Sequence, residues 1–214
     1  MQIMNRKLLD GLIHWPKSYL TRTELALLIG RSSDACDAII RRAVHADYLQ
    51  RLRRGLYMIT SKAGADKPDT REIAQLVYGP SYISFESALS WHGWIPEGVR
   101  VLTSATTKRG KEITTPIGTF VYERIPAAAF SFGVRHIQIA TASFLMADGW
   151  KALADLIYVH SRDWPDTSHI SEDLRIEPEE FAESDMRLLE LLATQYPNHR
   201  TRHYLNLYYR ELST

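Results

Sequence analysis

Apolar residues recur at helical spacing in the first thirty positions of the chain. Residues 1–15 place apolar side chains mostly one helical turn apart, and Pro16 ends that pattern. Thr21 and Glu24 have the spacing of a capping box, in which each residue satisfies a backbone amide of the other. Gly30 suits the left-handed residue that ends a helix. The pattern therefore predicts two short helices, with apolar positions at Ile3, Leu8, Leu9, Leu12, Ile13, Leu25, Leu28 and Ile29.

A second cap and a hairpin follow at once. Ser32 or Ser33 can cap a helix that runs to about Ala46. Its expected apolar seam is Ala35, Ile39, Ala43 and Ala46, and its opposite face carries Ser33, Asp34, Asp37, Arg41 and Val44. The strand-like runs 48–52 and 56–59 flank Arg53-Arg54-Gly55, where glycine can take the positive φ of a tight turn. Residues 1–62 are thus predicted to form a winged helix-turn-helix.

The remainder of the chain alternates between helical and strand-like patterns. The polar residues 63–69 are predicted to be a linker, and residues 70–214 a second α+β domain with a small sheet and several helices. Strands are expected at 99–103, 119–123 and 135–139, and an irregular acidic stretch after Pro165. Helices are expected at 70–78, 85–92, 143–160, from Pro178 onward and at 201–212. The predicted fold class is α+β.

Charge is distributed unevenly between these two parts. Residues 1–62 hold eleven Lys/Arg and five Asp/Glu, a net charge of +6, whereas the remainder holds fifteen against twenty, a net charge of −5. A basic segment with a helix-turn-helix pattern is typical of phosphate contact. Asp34 and Asp37 oppose this interpretation, because they would repel phosphates; they could instead accept a hydrogen bond from a cytosine amino group, or the helix docks at a tilt.

The DNA-binding hypothesis assigns a role to six residues. Arg41 is expected to contact a base or a phosphate, and Arg42 to lie along the DNA backbone. At the hairpin tip the arginines are expected to enter or flank the minor groove, where the negative potential attracts them. Ser33 is expected to contact a phosphate at the N-terminus of its helix, and Arg51 to contact a phosphate beside the hairpin tip. The complete set of predicted DNA-binding residues is Ser33, Arg41, Arg42, Arg51, Arg53 and Arg54.

A second basic cluster lies between two predicted strands. Lys108, Arg109 and Lys111 suit a solvated hairpin tip. They could also add a nucleic-acid contact or meet an acidic partner.

Composition excludes several other functions. A single cysteine, Cys36, rules out a disulfide framework and a cysteine-rich zinc site. No apolar run reaches the length of a membrane span, so a cytoplasmic protein is expected. His199 and His203 lack the glutamate of a metalloprotease helix, and Ser87 lacks nucleophile-elbow glycines. No enzyme activity, metal or cofactor is predicted.

Two other functions stay open for the second domain. The aromatic residues Trp91, Trp94, Tyr122, Phe130 and Phe132 could line a pocket for a small effector that changes DNA affinity, although a core position is the simpler interpretation. Residues 148–190 hold twelve acidic and four basic residues, a net charge of −8. That segment could face a basic protein partner, or be a solvated acidic surface, and the chain would then act only through protein interaction.

Four stretches together resemble the AbiEi family of bacterial antitoxins. They are the hairpin sequence 52–57, the Ser-Ala-Leu…His-Gly pattern within 82–93, the Gly-Thr-Phe sequence 118–120, and the Lys-Ala-Leu-x-Asp-Leu pattern within 151–158. The similarity covers about residues 5–160.

The resemblance implies a transcriptional repressor of its own operon that binds inverted repeats in the promoter. It also implies an antitoxin that neutralises a toxin of the nucleotidyltransferase class, in a toxin–antitoxin system that can abort phage infection. Inverted repeats imply two copies on DNA, and the chain has no heptad seam for a free dimer. The expected state is a monomer that pairs on its operator.

Overall fold

The computed structural model describes residues 6–30, 33–96, 101–140, 142–160, 162–176, 181 and 184–213, without the side chains of Ser33 and Ser61. It is a mixed α+β fold, as the sequence predicts at that level. Across these residues no helix is both long and apolar enough to cross a membrane.

The N-terminal part combines helices with a three-stranded antiparallel sheet. The sheet order is β1-β3-β2. Thr21 and Glu24 form the predicted capping box, and Gly30 ends the second helix with a φ of 66°. Both predictions are confirmed. The elements are α1 (Arg6–Ile13), β1 (Tyr19–Thr21), α2 (Arg22–Ile29), α3 (Ser33–His45), β2 (Leu49–Arg53) and β3 (Leu56–Ile59).

The buried face of α3 differs slightly from the predicted seam. Its buried side chains are Cys36, Ile39, Ile40 and Ala43, while Ala35 is half-buried. Burial raises the pKa of the Cys36 thiol, consistent with a packed side chain. The proposed cap at Ser32, with Arg31 before it, lies outside the described residues.

The C-terminal part is built on a six-stranded mixed sheet, larger than the small sheet expected. Its order is β6-β7-β5-β4-β9-β8, with β5 parallel to β7 and β4 parallel to β9. The strands are β4 (Ser81–Ile83), β5 (Leu102–Thr106), β6 (Lys111–Thr115), β7 (Gly118–Arg124), β8 (Val134–Ile139) and β9 (Ala142–Ala147). The helices are α4 (Thr70–Val77), α5 (Phe85–Trp91), α6 (Gly149–Val159), α7 (Thr167–Leu174), α8 (Met186–Gln195) and α9 (His199–Leu212).

Several predicted boundaries were wrong. Residues 142–147 are strand rather than helix, because they fill the place between β4 and β8, and Asp148 starts α6 by capping Trp150 N. The stretch predicted to be irregular contains α7, capped by Asp166. The helix expected from Pro178 starts at Met186, where Asp185 caps it; Pro178 itself lies outside the described residues. Of the strand expected at 99–103, positions 99 and 100 also lie outside them.

Helices α4 and α6 cover opposite faces of the large sheet. The Tyr122 hydroxyl on β7 donates to the Ala74 carbonyl of α4 at 2.7 Å. The Tyr82 hydroxyl on β4 donates to Asp155 of α6 at 2.7 Å. Tyr122 is in register with Ser104, which pairs with Ile83, so the side chain of Tyr82 must point to the other face.

The small N-terminal sheet has apolar side chains on both faces. Leu20, Leu49 and Ile59 pack with α1, α2 and α3 in one cluster, which also includes Ala63 of the 3₁₀ turn Ser61–Ala63. Tyr19, Leu52, Leu56 and Met58 belong instead to the large cluster of the C-terminal part, with Ile73 and Ala74 of α4. The two parts of the chain therefore share a core across α4.

Polar contacts reinforce this junction. The Tyr19 hydroxyl donates to Glu72 Oε1 at 2.7 Å, and Lys17 Nζ donates to the same oxygen at 3.0 Å. Burial of Tyr19 and its bond to Glu72 raise the pKa of its hydroxyl to about 12. At neutral pH the hydroxyl therefore keeps the proton it donates across the junction.

Candidate nucleic-acid interface

A groove of about 700 Å³ runs between α3 and the β2–β3 hairpin. Arg41 stands on the exposed face of α3, and Arg51 on the exposed face of β2. Arg54 and Gly55 form the hairpin turn, where Gly55 has the predicted positive φ, 81°. The lining residues are Arg22, Asp37, Ile40, Arg41, Arg51, Arg54, Gly55 and Tyr57.

The structure brings three of the six predicted residues into this groove: Arg41, Arg51 and Arg54. Among the described residues, Arg42 and Arg53 lie outside it. Arg42 is exposed, and its Nε donates to the Ala38 carbonyl of its own helix at 3.3 Å. Ser33 is the first residue of α3, and its side chain is outside the described part of the chain.

Arg53 is tied to the C-terminal part rather than to the groove. It is exposed at the end of β2, and its Nε donates to the Leu76 carbonyl of α4 at 2.9 Å. The hairpin is thereby anchored on α4 by one arginine, while the next arginine along the chain, Arg54, faces the groove. The sequence interpretation gave Arg53 and Arg54 the same expected role at the hairpin tip.

Arg22 is the groove residue that the sequence interpretation missed. It is the first residue of α2, and its backbone N–H donates to the Gly55 carbonyl of the hairpin at 2.9 Å. Its guanidinium pairs side-on with Asp37, with Nε to Oδ1 at 2.9 Å and Nη2 to Oδ2 at 3.1 Å. Only the packing of α2 against α3 brings these two residues together, so local spacing carries no signal of the pair.

The electrostatics of the groove favour an anionic ligand. Four arginines and one aspartate line it, a net charge of +3. The bond from Arg22 lowers the pKa of Asp37, so the aspartate stays ionised. Arg22 offsets that negative charge, which reduces the repulsion of phosphates that the sequence suggested. A row of arginine side chains at the edge of a helix and a hairpin can contact successive phosphates.

The predicted second basic cluster lies in the loop between β5 and β6 and at the start of β6. Lys108, Arg109 and Lys111 are all exposed. Lys108 Nζ and Lys111 Nζ lie 5.5 Å and 5.9 Å from the centre of the Tyr78 ring, and Lys108 also donates to the Gly79 carbonyl. Because Tyr78 directly follows α4 and Arg53 contacts Leu76, this loop and the hairpin are anchored at the same end of α4.

A buried ionic cluster lies within the C-terminal part. Asp155 accepts hydrogen bonds from Tyr82 at 2.7 Å, Ser84 at 2.8 Å and Tyr196 at 3.0 Å, and it pairs with Lys151 one turn earlier on α6. The side chains of Lys151 and Asp155 are both 0% exposed. Ser84 stands at the N-cap position of α5, but its hydroxyl donates to Asp155 and makes no capping bond.

Closure from solvent makes this cluster structural rather than catalytic. Burial lowers the pKa of Lys151 and raises the pKa of Tyr82 and Tyr196. The aspartate joins β4, the start of α5, α6 and the end of α8 through its four partners.

The aromatic set considered for an effector pocket belongs largely to the core. Trp94 and Tyr122 are buried, and Trp94 meets Trp150 edge-on at 4.9 Å. Phe130 contacts the ring of Tyr82, and Trp91 stacks on the guanidinium of Arg71 at 4.6 Å. Among the described residues, no group of three or more His, Cys, Asp and Glu side chains could hold a metal ion.

No protein-family model matches the chain, and no curated protein matches it in sequence.

Proposed function

We propose that this protein binds double-stranded DNA through a winged helix-turn-helix formed by residues 1–62 and represses transcription of its own operon. The observation that carries the proposal is the groove in which Arg22, Arg41, Arg51 and Arg54 converge. In this interpretation α3 is the recognition helix and the β2–β3 hairpin is the wing. The basic loop at Lys108, Arg109 and Lys111 would lengthen the phosphate-binding surface from the same end of α4.

The test is a binding titration of the full chain against its own upstream promoter fragment. Scrambled DNA of the same length is the competitor, and two salt concentrations are used. Specific binding that weakens steeply with salt is expected, because phosphate contacts release counterions. Equal affinity for the promoter and the scrambled fragment would contradict the proposal. In the same titration, Arg41→Ala with Arg54→Ala should lose promoter binding. Arg187→Ala, which removes an exposed arginine of α8, is the matched control and should bind like the wild-type chain.

We further propose that the chain is the antitoxin of a nucleotidyltransferase-type toxin. This half of the proposal is supported only by the sequence resemblance to the AbiEi family. Co-expression with the toxin gene of the same operon should restore growth, and Arg41→Ala with Arg54→Ala should preserve that rescue while losing promoter binding. Growth arrest that persists with the wild-type chain would contradict it.

Deletion of the segment after Trp164 would be a poor test of the antitoxin proposal. Leu189, Tyr204, Leu205 and Tyr208 of α8 and α9 are buried in the large cluster, so their removal would expose its core. Substitutions of exposed residues in the full chain leave the core intact. A loss of toxin neutralisation in such a variant can then be distinguished from a loss of folding.

The second candidate function is regulation by a small effector. A groove of about 610 Å³ lies between α7 and α9, a volume typical of ligand sites. Phe181, Tyr208 and Ile176 give it apolar walls, and Arg175 and Glu211 give it charge. A metabolite that raises the melting temperature of the wild-type chain, but not of a Leu212→Trp variant that fills this groove, would favour this function.

A further inference from the structure

An ionised aspartate in the basic groove needs a physical explanation. Asp37 lies on α3, its side chain is 43% exposed, and it shares the groove with four arginines. DNA phosphates carry negative charge and accept hydrogen bonds, so a carboxylate at that place weakens phosphate contact. Its pair with Arg22 is also open to solvent, and such pairs contribute little to stability. A role in the fold or in phosphate binding therefore does not explain it.

The geometry holds Asp37 in one orientation. Arg22 binds both carboxylate oxygens, at 2.9 Å and 3.1 Å, which fixes the plane of the carboxylate. The backbone of Arg22 is itself fixed, because its N–H donates to the Gly55 carbonyl and Thr21 caps its helix. The carboxylate is thus positioned relative to both α3 and the hairpin. Each carboxylate oxygen has two lone pairs, so each can accept a second hydrogen bond.

The donors that DNA offers to such an acceptor are few. In the major groove the base edges present the N4 amino group of cytosine and the N6 amino group of adenine. Adenine places its N7 acceptor beside that amino group, where it would repel a carboxylate. The cytosine amino group has an acceptor on one side only, O6 of the paired guanine, whereas the adenine amino group lies between N7 and O4 of the paired thymine. The depressed pKa of Asp37 keeps the carboxylate an acceptor only. A cytosine is therefore the base that this arrangement fits.

We infer that Asp37 determines sequence specificity by accepting a hydrogen bond from one cytosine in the major groove, and that Arg22 is its positioning residue. The inference rests on the proposed DNA-binding function and deepens it. Arg41, Arg51 and Arg54 supply the sequence-independent affinity, and Asp37 supplies selectivity at one base pair.

The test measures base preference at every position of the operator. The wild-type chain, Asp37→Asn and Asp34→Asn each select from a pool of promoter fragments with randomised positions, and selected fragments are sequenced. Asp34 is an exposed acid one turn earlier on the same helix, but unlike Asp37 it does not line the groove, so it serves as the matched control. The wild-type chain should prefer cytosine at one position by about fivefold or more. Asp37→Asn should lose that preference and shift it toward adenine, since asparagine pairs with adenine N6 and N7.

Arg22→Lys tests the positioning role. Lysine keeps the positive charge but cannot form the two-bond pair. The preference for cytosine at that single position should fall, while the preferences at all other positions stay as in the wild-type chain. A residue with a merely structural role would change affinity uniformly across sequences.

The outcomes separate the inference from the function on which it rests. If Asp37→Asn binds the promoter specifically with unchanged preferences at every position, the inference is wrong and the proposed function stands. If the wild-type chain binds promoter and scrambled DNA equally, the proposed function fails and the inference fails with it. Loss of the cytosine preference in Asp34→Asn as well would also overturn the assignment to Asp37.

Discussion

Two aspartate–cation pairs in this protein have the same chemistry and opposite surroundings. Asp155 and Lys151 are buried in the C-terminal part, and the aspartate also accepts hydrogen bonds from three hydroxyl groups. Asp37 and Arg22 are each about two-fifths exposed, at the wall of a groove. A buried charge must be satisfied from within the protein, whereas an exposed one can exchange water for a ligand. Burial therefore separates a pair that supports the fold from one suited to recognition.

The largest expected effect is on stability, from Asp155→Ala. The substitution leaves the buried Lys151 without its carboxylate and three hydroxyl groups without their acceptor. We expect a loss of about 3–5 kcal/mol in the free energy of unfolding, measured by urea denaturation. Asp37→Asn is the control and should leave the unfolding midpoint unchanged. Equal midpoints for both variants would contradict the distinction between the pairs.

A smaller loss is expected for Lys151→Met. The aspartate then keeps three hydroxyl donors, and methionine fills most of the space of the lysine stem. The free energy of unfolding should fall by about 2 kcal/mol, less than for Asp155→Ala. A larger loss than for Asp155→Ala would show that the lysine, and not the aspartate, is the centre of the cluster.

On the exposed side, the hairpin arginines should differ in DNA binding. Arg54 lines the groove, whereas Arg53 Nε is bound to the Leu76 carbonyl. Arg54→Ala should lower the dependence of log affinity on log salt by about one unit, and Arg53→Ala should lower it less. Salt titrations of each single variant and of the double variant measure this. An unchanged slope in the double variant would overturn the assignment of the hairpin as a wing.

The smallest expected effect concerns a third pair, Asp166 and His169, which lies fully on the surface. The Asp166 Oδ1 to His169 Nδ1 distance is 2.7 Å, and this bond raises the pKa of the histidine. A raised folded-state pKa gives stability that is present below the unfolded value of about 6.5 and is lost as pH rises through the folded value. In an NMR titration, the midpoint pH of His169 should be higher in the wild-type chain than in the Asp166→Asn variant. Identical midpoints would show that the pair does not persist in solution.

Local signals predicted the parts of the fold that depend on neighbouring residues. The capping box at Thr21 and Glu24, the turn at Gly55 and the end of α2 at Gly30 each follow from the conformations those residues favour. Strand β9 was missed because Ala142–Ala147 has apolar residues suited to a helix, and only its neighbours β4 and β8 make it a strand.

In the candidate groove, too, contacts that depend on tertiary packing could not be predicted from the local sequence. Arg41, Arg51 and Arg54 were found because their charge and their place on exposed faces can be read from the pattern. The pairing of Arg22 with Asp37 could not be found, since it joins residues on two helices whose crossing is set by the core. The separation of Arg53 from Arg54 likewise depends on α4, an element outside the hairpin.

The shared core at α4 has a consequence for how such a protein can be divided or recombined. Leu52, Leu56 and Met58 of the small sheet are covered by residues of the C-terminal part. A fragment cut within 63–69 would present that apolar face to water and is expected to aggregate. If the N-terminal part were transplanted into another protein, it would need to carry α4 with it. The part of the chain that can be transferred therefore extends to about Val77, beyond the linker 63–69 that the sequence predicts as the domain boundary.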